Sequence, residues 1–282
     1  MQAIVQAHRF AISQSYSELV PLRASGQAPP LFCIHDENFE HIASAMPENQ
    51  PVYGLRSVNL DGAEVNLSLE QLAADYLRQI CSVQTCGPYR LAGYSVGALL
   101  AYEIATVLAN RGEKVSLLAL MDARAQPKFQ QSLSPGEWRR FRRTYLADRI
   151  RKYGRNLSQG RIDHVWSDAR QYVKKIKPIA WRITERVCKK LGCSMPSFMQ
   201  SRSVMFGAML RSYTPKEFKG RVVLFRPEER PPEEDLDPCF GWHKFAKEGV
   251  DVQFAPGGHG TMMEMPNALV LAEKLVPYLK LP

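Results

Sequence analysis

Short apolar runs alternate with amphipathic stretches along most of this chain. Apolar runs bounded by proline, glycine or charged residues are typical of strands buried within a sheet. They predict strands at residues 30–35, 51–56, 114–122, 220–227 and 250–256, and another that starts at residue 89. Apolar residues at helical spacing predict helices over 67–83, from Ser95 to a stop at Gly112, and over 268–280. Ser68 is expected to be the N-cap of the first.

This alternation of strands and helices predicts an α/β fold with a doubly wound, mostly parallel sheet. Residues 123–212 break the alternation with helical patterns alone, which indicates an insertion at about 126–211 in a domain spanning 18–282. Residues 1–17 are polar and mixed and are interpreted as a linker or peripheral helix. Residues 17–30 are rich in proline, glycine and serine and are interpreted as a lead-in to the domain.

The sequence Gly93-Tyr94-Ser95-Val96-Gly97 has the pattern G-x-S-x-G. The pattern alone arises by chance, but here it follows a predicted strand and opens a predicted helix. A nucleophile elbow needs that context, together with small residues two positions on either side of the serine. Ser95 is therefore the candidate nucleophile.

A serine hydroxyl needs a general base within hydrogen-bond reach. Of the six histidines, His259 lies in a glycine-rich loop between the last strand and the last helix, where α/β-hydrolases carry this base. His35 ends the first strand and is expected to shape the next loop. His243 is expected to be an ordinary packed or surface residue. His259 is the candidate base.

The third member of such a site is an acid that orients the imidazole. Asp122 ends the strand that follows the nucleophile helix, which puts its carboxylate at the same sheet edge as Ser95. Glu228, Glu229 and Asp235 follow the next strand and are rivals, since many α/β-hydrolases carry their acid there. Residue positions alone leave this choice open.

Several separate motifs resemble one family. GYSVGALLAYEIA, LLALMDA, SYTPKEFKGRVVLFR and PGGHGTMMEMPNALVLAEKL look like the type I thioesterase domains that end nonribosomal peptide and polyketide synthases, and SELVPLRASGQAPPLFCIH resembles their entry segment. The resemblance covers about residues 17–125 and 212–281. It implies an α/β-hydrolase with a helical lid at the insertion. It also implies the order serine, aspartate after the next strand, then histidine, hence Ser95, Asp122 and His259.

The loop after the first parallel strand departs from the family pattern. Relatives follow the histidine at this point with proline or glycine and a small-residue loop that contributes to the oxyanion hole. Here His35 is followed by Asp36, Glu37, Asn38 and Phe39, and the segment is about five residues short. By position, the backbone amides of Val96 and Glu37 are the expected oxyanion donors.

Charge is distributed unevenly along the chain. Residues 128–211 hold 20 Lys and Arg against 5 Asp and Glu, a net charge of +15, whereas the whole chain carries +9. This basic segment is either a solvated helical surface or a docking face for an acyl or peptidyl carrier protein, which the resemblance implies as partner. Nucleic acid is not expected, because no zinc-finger, RRM or clear helix-turn-helix pattern occurs.

Composition bears on the expected location of the protein and on its cysteines, cofactors and metals. No apolar run reaches 18 residues and no secretory leader is apparent, so a cytoplasmic protein without a membrane span is expected. The six cysteines form no C-x-x-C pair or zinc pattern and are expected to be reduced. No cofactor or metal is expected, since the family receives its acyl group on a phosphopantetheine arm. Three functions are open: a chain-releasing thioesterase, an acyltransferase, and a non-catalytic carrier-binding module.

Overall fold

The computed structural model describes residues 18–35, 39–56, 68–125, 184, 209–210, 213–230 and 237–280. The predicted linker at 1–17 and almost all of the predicted lid at 126–211 lie outside these residues. The chain divides into two compact units, one of residues 1–60, 65–127 and 212–282, the other of residues 61–64 and 128–211. The described elements belong to the first unit.

Seven strands and four α-helices make up the described part of that unit. In chain order they are β1 Leu19–Arg23, β2 Leu31–Ile34, α1 Glu40–Ser44, β3 Val52–Leu55, α2 Leu69–Val83, β4 Tyr89–Tyr94, α3 Val96–Asn110, β5 Val115–Met121, β6 Val222–Pro227, β7 Val250–Ala255 and α4 Asn267–Leu279. A short 3₁₀ helix, Trp242–Lys244, precedes β7. The strands and helices predicted within the described residues are all present, with ends within one or two residues of those expected.

The strands form one sheet in the order β1-β3-β2-β4-β5-β6-β7. All neighbouring pairs from β3 to β7 are parallel, which confirms the predicted α/β fold. The chain runs outward from the centre in both directions, as in other doubly wound sheets.

Strand β1 corrects the interpretation of residues 17–30 as a simple lead-in. Leu19–Arg23 pairs antiparallel with β3 at the edge of the sheet, and the register shifts between Pro21 and Arg23. Proline cannot donate a ladder hydrogen bond, so it is tolerated only at an edge or an irregularity. Pro21 lies in an edge strand and next to the register shift, and for this reason the strand lacks a clear apolar pattern.

Helices α2 and α3 pack against each other, and α1 packs against α4. Side chains of β2 and β5 alternate between the two layers, as the period of a strand requires. Leu31, Cys33, Leu117, Ala119 and Met121 pack in the cluster that includes α1 and α4. Helix α2 begins with the predicted Ser68 cap, in which the Ser68 hydroxyl accepts from the Gln71 amide and the Gln71 side chain accepts from the Ser68 amide.

Candidate active site

The turn between β4 and α3 holds Ser95 in a conformation that most residues avoid. Ser95 has φ 55° and ψ −116°, and its amide donates to the Met121 carbonyl at 2.9 Å. A Cβ on Gly93 would lie 2.3 Å from the Gly97 carbonyl oxygen, and a Cβ on Gly97 would lie 2.3 Å from the Ile34 carbonyl oxygen. Both glycines are thus required by close backbone approach, and the strand–elbow–helix context predicted for the motif is present.

Asp122 directly follows β5, the strand next to β4, and lies at the same edge of the sheet as Ser95. Its amide donates to the Phe225 carbonyl of β6 at 2.9 Å, and its φ is 46°. Ser95 and Asp122 therefore each follow directly from a central parallel strand and are tied by the backbone to the next one. The Asp122 side chain is 0% exposed, so its carboxylate must find its partners within the protein.

The loop after β7 brings His259 between these two residues. His259 Nε2 lies 3.3 Å from Ser95 Oγ, and His259 Nδ1 lies 2.6 Å from Asp122 Oδ2. An ionised carboxylate can only accept hydrogen bonds, so the proton belongs on Nδ1. Nε2 then presents its lone pair toward the serine hydroxyl, the arrangement that a general base requires.

The acid at His259 Nδ1 is Asp122 and not one of its rivals after β6. Glu228 and Glu229 use their backbone amides to bind the Ala255 and Gly257 carbonyls, each at 2.9 Å, while Asp122 holds the imidazole. Asp235 lies outside the described residues. His35 follows β2 with φ 62° and makes an edge contact with the Tyr76 ring. His243 lies in the 3₁₀ helix, exposed, as its interpretation as an ordinary histidine expects.

The expected oxyanion donors are only partly described. Val96 is the first residue of α3, and the first amides of a helix have no intrahelical acceptor. Its N–H therefore points out of the helix start beside Ser95, where the helix dipole also favours negative charge. Glu37 lies in residues 36–38, outside the described chain.

Two residues that sequence reasoning missed hold the other members of the site. The Arg230 guanidinium pairs with Asp122 Oδ1, and the Tyr94 hydroxyl donates to the His259 carbonyl. The Tyr94 ring also stacks on the imidazole, with centroids 5.1 Å apart. Burial, and to a lesser extent the Glu264 carboxylate, raises the pKa of Tyr94, so its hydroxyl keeps the proton that it donates. In the sequence, the only indication of a role for Arg230 is its place among the charged residues just after β6.

Within the described ranges, Asp237, Cys239 and His243 are the group whose ligand types and spacing could hold a metal ion. The Asp237 carboxylate already accepts from the amides of Cys239 at 2.9 Å and Gly241 at 2.7 Å. Burial, followed by the Asp237 charge, raises the pKa of the Cys239 thiol. The group is accounted for as a side-chain-capped turn.

Comparison with known proteins identifies the family of the chain. Residues 29–275 match the family described as "Thioesterase domain". The chain belongs to this family. The resemblance inferred from the motifs is thereby confirmed, and the thioesterase domain is a hydrolase of the α/β class.

The related sequences are large synthetases. Malpibaldin synthetase of Mortierella alpina is 27% identical over 270 residues, covering 93% of this chain and 4% of that protein. The dimodular nonribosomal peptide synthase of Bacillus subtilis is 30% identical over 236 residues, covering 78% of this chain and 9% of that protein. The thioesterase domain thus spans less than a tenth of either relative.

Solved structures share its fold at low sequence identity. The NocB thioesterase domain, in covalent complex with a fluorophosphonate nocardicin G analogue, has a TM-score of 0.60 at 18% identity, covering 94% of this chain and 100% of that one. A holo four-domain nonribosomal peptide synthetase bound to AMP and glycine has a TM-score of 0.63 at 20% identity, covering 94% of this chain and 20% of that one. Among the helices that the structure describes, none is long and apolar enough to cross a membrane.

Proposed function

We propose that this thioesterase domain releases an acyl, peptidyl or polyketide chain from a carrier-protein thioester by way of an acyl-enzyme on Ser95. The observation that carries the proposal is the continuous hydrogen-bonded sequence from Ser95 Oγ through the His259 ring to Asp122, with separations of 3.3 Å and 2.6 Å. Membership of the thioesterase family and the relationship to synthetases support it.

The first half-reaction forms the acyl-enzyme. Ser95 Oγ attacks the thioester carbonyl while His259 Nε2 takes the hydroxyl proton, and the carbonyl oxygen gains the negative charge. The C–S bond then breaks, and the imidazolium gives its proton to the departing sulfur, which leaves as a thiol. Asp122 stabilises the imidazolium between these steps, and its full burial strengthens that interaction by excluding competing water.

The second half-reaction removes the acyl group from Ser95. His259 takes a proton from water, giving a free acid, or from an amine or hydroxyl within the chain, giving a ring. The bond between the acyl carbon and Ser95 Oγ then breaks, and the imidazolium returns its proton to Oγ. The exposed His259 side chain, 55% accessible, leaves room for either nucleophile to approach. Hydrolysis and cyclisation thus use the same three side chains and differ only in what reaches the acyl carbonyl.

In both half-reactions the oxyanion is bound by backbone amides. The Val96 amide is the proposed first donor, because it follows the nucleophile directly and starts helix α3. The Glu37 amide is the second donor suggested by position. The non-catalytic alternative depends on residues 36–38, outside the described chain, and no feature of the described residues favours an acyltransferase.

The acyl group is proposed to arrive on the phosphopantetheine arm of a carrier protein, so no resident cofactor is required. The basic segment at 128–211 is the proposed docking face, since its net charge of +15 would attract an acidic partner. Exposed charges are screened beyond about 8 Å at physiological salt. Rising salt should then lower kcat/KM for a carrier-bound substrate more than for a small thioester. We also propose that the protein acts in the cytoplasm.

The direct test is intact-mass analysis of the protein mixed with an acyl carrier substrate. Wild type should gain the mass of the acyl group, and Ser95→Ala should not, with the same thermal unfolding transition as wild type. A Ser95→Ala variant that still gained the acyl mass, or retained most of its turnover, would remove Ser95 from the mechanism.

A further inference from the structure

The Asp122 carboxylate is held at both oxygens by different residues. Oδ2 lies 2.6 Å from His259 Nδ1, and Oδ1 accepts from Nη2 of Arg230. The Asp122 side chain is 0% exposed and that of Arg230 is 13% exposed, so water competes little with this ion pair. The carboxylate therefore has one positively charged partner and one neutral partner when His259 is unprotonated.

Arg230 is itself fixed by the backbone and by an aromatic ring. The Glu229 amide donates to the Gly257 carbonyl at 2.9 Å, which ties this segment to the loop of His259. The guanidinium carbon lies 4.5 Å from the centroid of the buried Phe240 ring. The Phe240 carbonyl accepts from the Ala125 amide at 3.0 Å, three residues after Asp122. Arg230 thus reaches Asp122 from a surface joined to both β5 and the histidine loop.

This geometry restricts the rotation of the carboxylate. A carboxylate with a single donor can turn about its Cβ–Cγ bond and trade oxygens, whereas donors at both oxygens fix its plane. Removing one partner from a buried pair also leaves an uncompensated charge, which drives the remaining groups to rearrange. Either change would move His259 Nδ1 relative to Oδ2 and so turn the imidazole away from Ser95.

We propose that Arg230 is a positioning residue for the catalytic groups: it fixes the plane of the Asp122 carboxylate and, through it, the orientation of His259. This inference rests on the proposed function of Ser95, Asp122 and His259. Arg230 acts through these side chains, so its loss should slow the chemical step and leave ligand affinity unchanged.

The test measures fluorophosphonate labelling of Ser95 by mass, which resolves the maximal rate kinact from the half-saturating concentration KI. Arg230→Met removes the charge and the hydrogen bond at similar side-chain length. A misplaced catalytic group costs on the order of 10²-fold, so kinact should fall by roughly ten- to a hundredfold with KI within about twofold of wild type. Arg230→Lys keeps the charge without the planar guanidinium and should restore part of kinact.

Arg124→Met is the matched control, because the Arg124 guanidinium also stacks on Phe240, at 4.6 Å, while the ion pair to Asp122 comes from Arg230. Its kinact should stay within about twofold of wild type. Circular dichroism and thermal unfolding verify that each variant is folded at the assay temperature. If Arg230→Met does not fold, Arg230→Gln and Arg230→Lys carry the comparison.

The inference is overturned if a folded Arg230→Met or Arg230→Gln labels as fast as wild type, if KI changes in place of kinact, or if Arg124→Met loses as much rate. Failure of the proposed function would look different, since wild type itself would form no adduct on Ser95.

Discussion

Ser95 and His259 face each other at 3.3 Å, yet they are held by different kinds of interaction. The position of Ser95 is fixed by the backbone. Its amide donates a hydrogen bond to the Met121 carbonyl, its φ is positive, and the two flanking glycines have no room for a side chain. His259 sits on an exposed loop and is set largely by side chains, with Asp122 at Nδ1 and Tyr94 stacked on the ring. The backbone contacts around Ser95 leave a glycine spacing in the sequence, whereas the side-chain contacts of Arg230 with Asp122 and of Tyr94 with His259 leave none.

The largest loss of activity is expected from replacing Asp122, whose side chain contacts His259 Nδ1. Asp122→Asn keeps the shape of the residue but can present an amide N–H to Nδ1, which would force the wrong imidazole tautomer. We expect kcat for a thioester to fall by roughly 10⁴-fold, the size of the loss when such an aspartate is replaced in a serine protease.

The controls for this prediction are Glu228→Gln and Glu229→Gln, whose acids follow β6. Both should remain within about twofold of wild-type kcat, because the carboxylate at His259 Nδ1 is that of Asp122. Because Asp122→Asn also leaves Arg230 with a neutral partner, its free energy of unfolding should be measured alongside. A large loss in Glu228→Gln or Glu229→Gln, with Asp122→Asn active, would contradict the assignment of the acid.

Adding a methyl group at the Ser95 elbow or in the His259 loop should change the free energy of unfolding by different amounts. Gly97→Ala would push a Cβ to 2.3 Å from the Ile34 carbonyl oxygen, a backbone atom that cannot easily move. Such overpacking costs about 1–3 kcal/mol in the free energy of unfolding. Gly260→Ala, beside His259, meets no heavy atom within 4 Å and should leave stability unchanged or slightly raised. Denaturant unfolding of both variants measures the difference, and equal midpoints would show that the elbow tolerates side chains.

The same contrast explains what could be predicted from the sequence. The central strands are continuous apolar runs because helices cover both sides of the sheet, and the Gly93 and Gly97 spacing follows from close backbone contact. Strand β1 was missed because Pro21 breaks its pattern at an edge that tolerates it. Arg230 was missed because its contact joins residues 108 positions apart, and an arginine after a strand resembles any surface charge.

The smallest effect should come from the Tyr94 hydroxyl, which donates to the His259 carbonyl while the ring stacks on the imidazole. Tyr94→Phe removes the hydrogen bond and keeps the stack. A hydrogen bond contributes about 0.5–1.5 kcal/mol net, so the fluorophosphonate labelling rate should fall by about two- to tenfold. Tyr94→Leu, which also removes the stacked ring, should lose more.

The pH dependence sharpens this last prediction. Burial, with a smaller contribution from Glu264, raises the pKa of Tyr94 above its usual value near 10, so the hydroxyl stays protonated throughout the assay range. The ratio of wild-type to Tyr94→Phe labelling rates should therefore be constant from about pH 6 to pH 9. Hydrogen exchange of the loop amides should be faster in both variants, because the contact that ties the loop to β4 is weakened. A ratio that collapses toward one within that range, or loop exchange that stays at the wild-type rate in Tyr94→Leu, would mean that His259 is held without Tyr94.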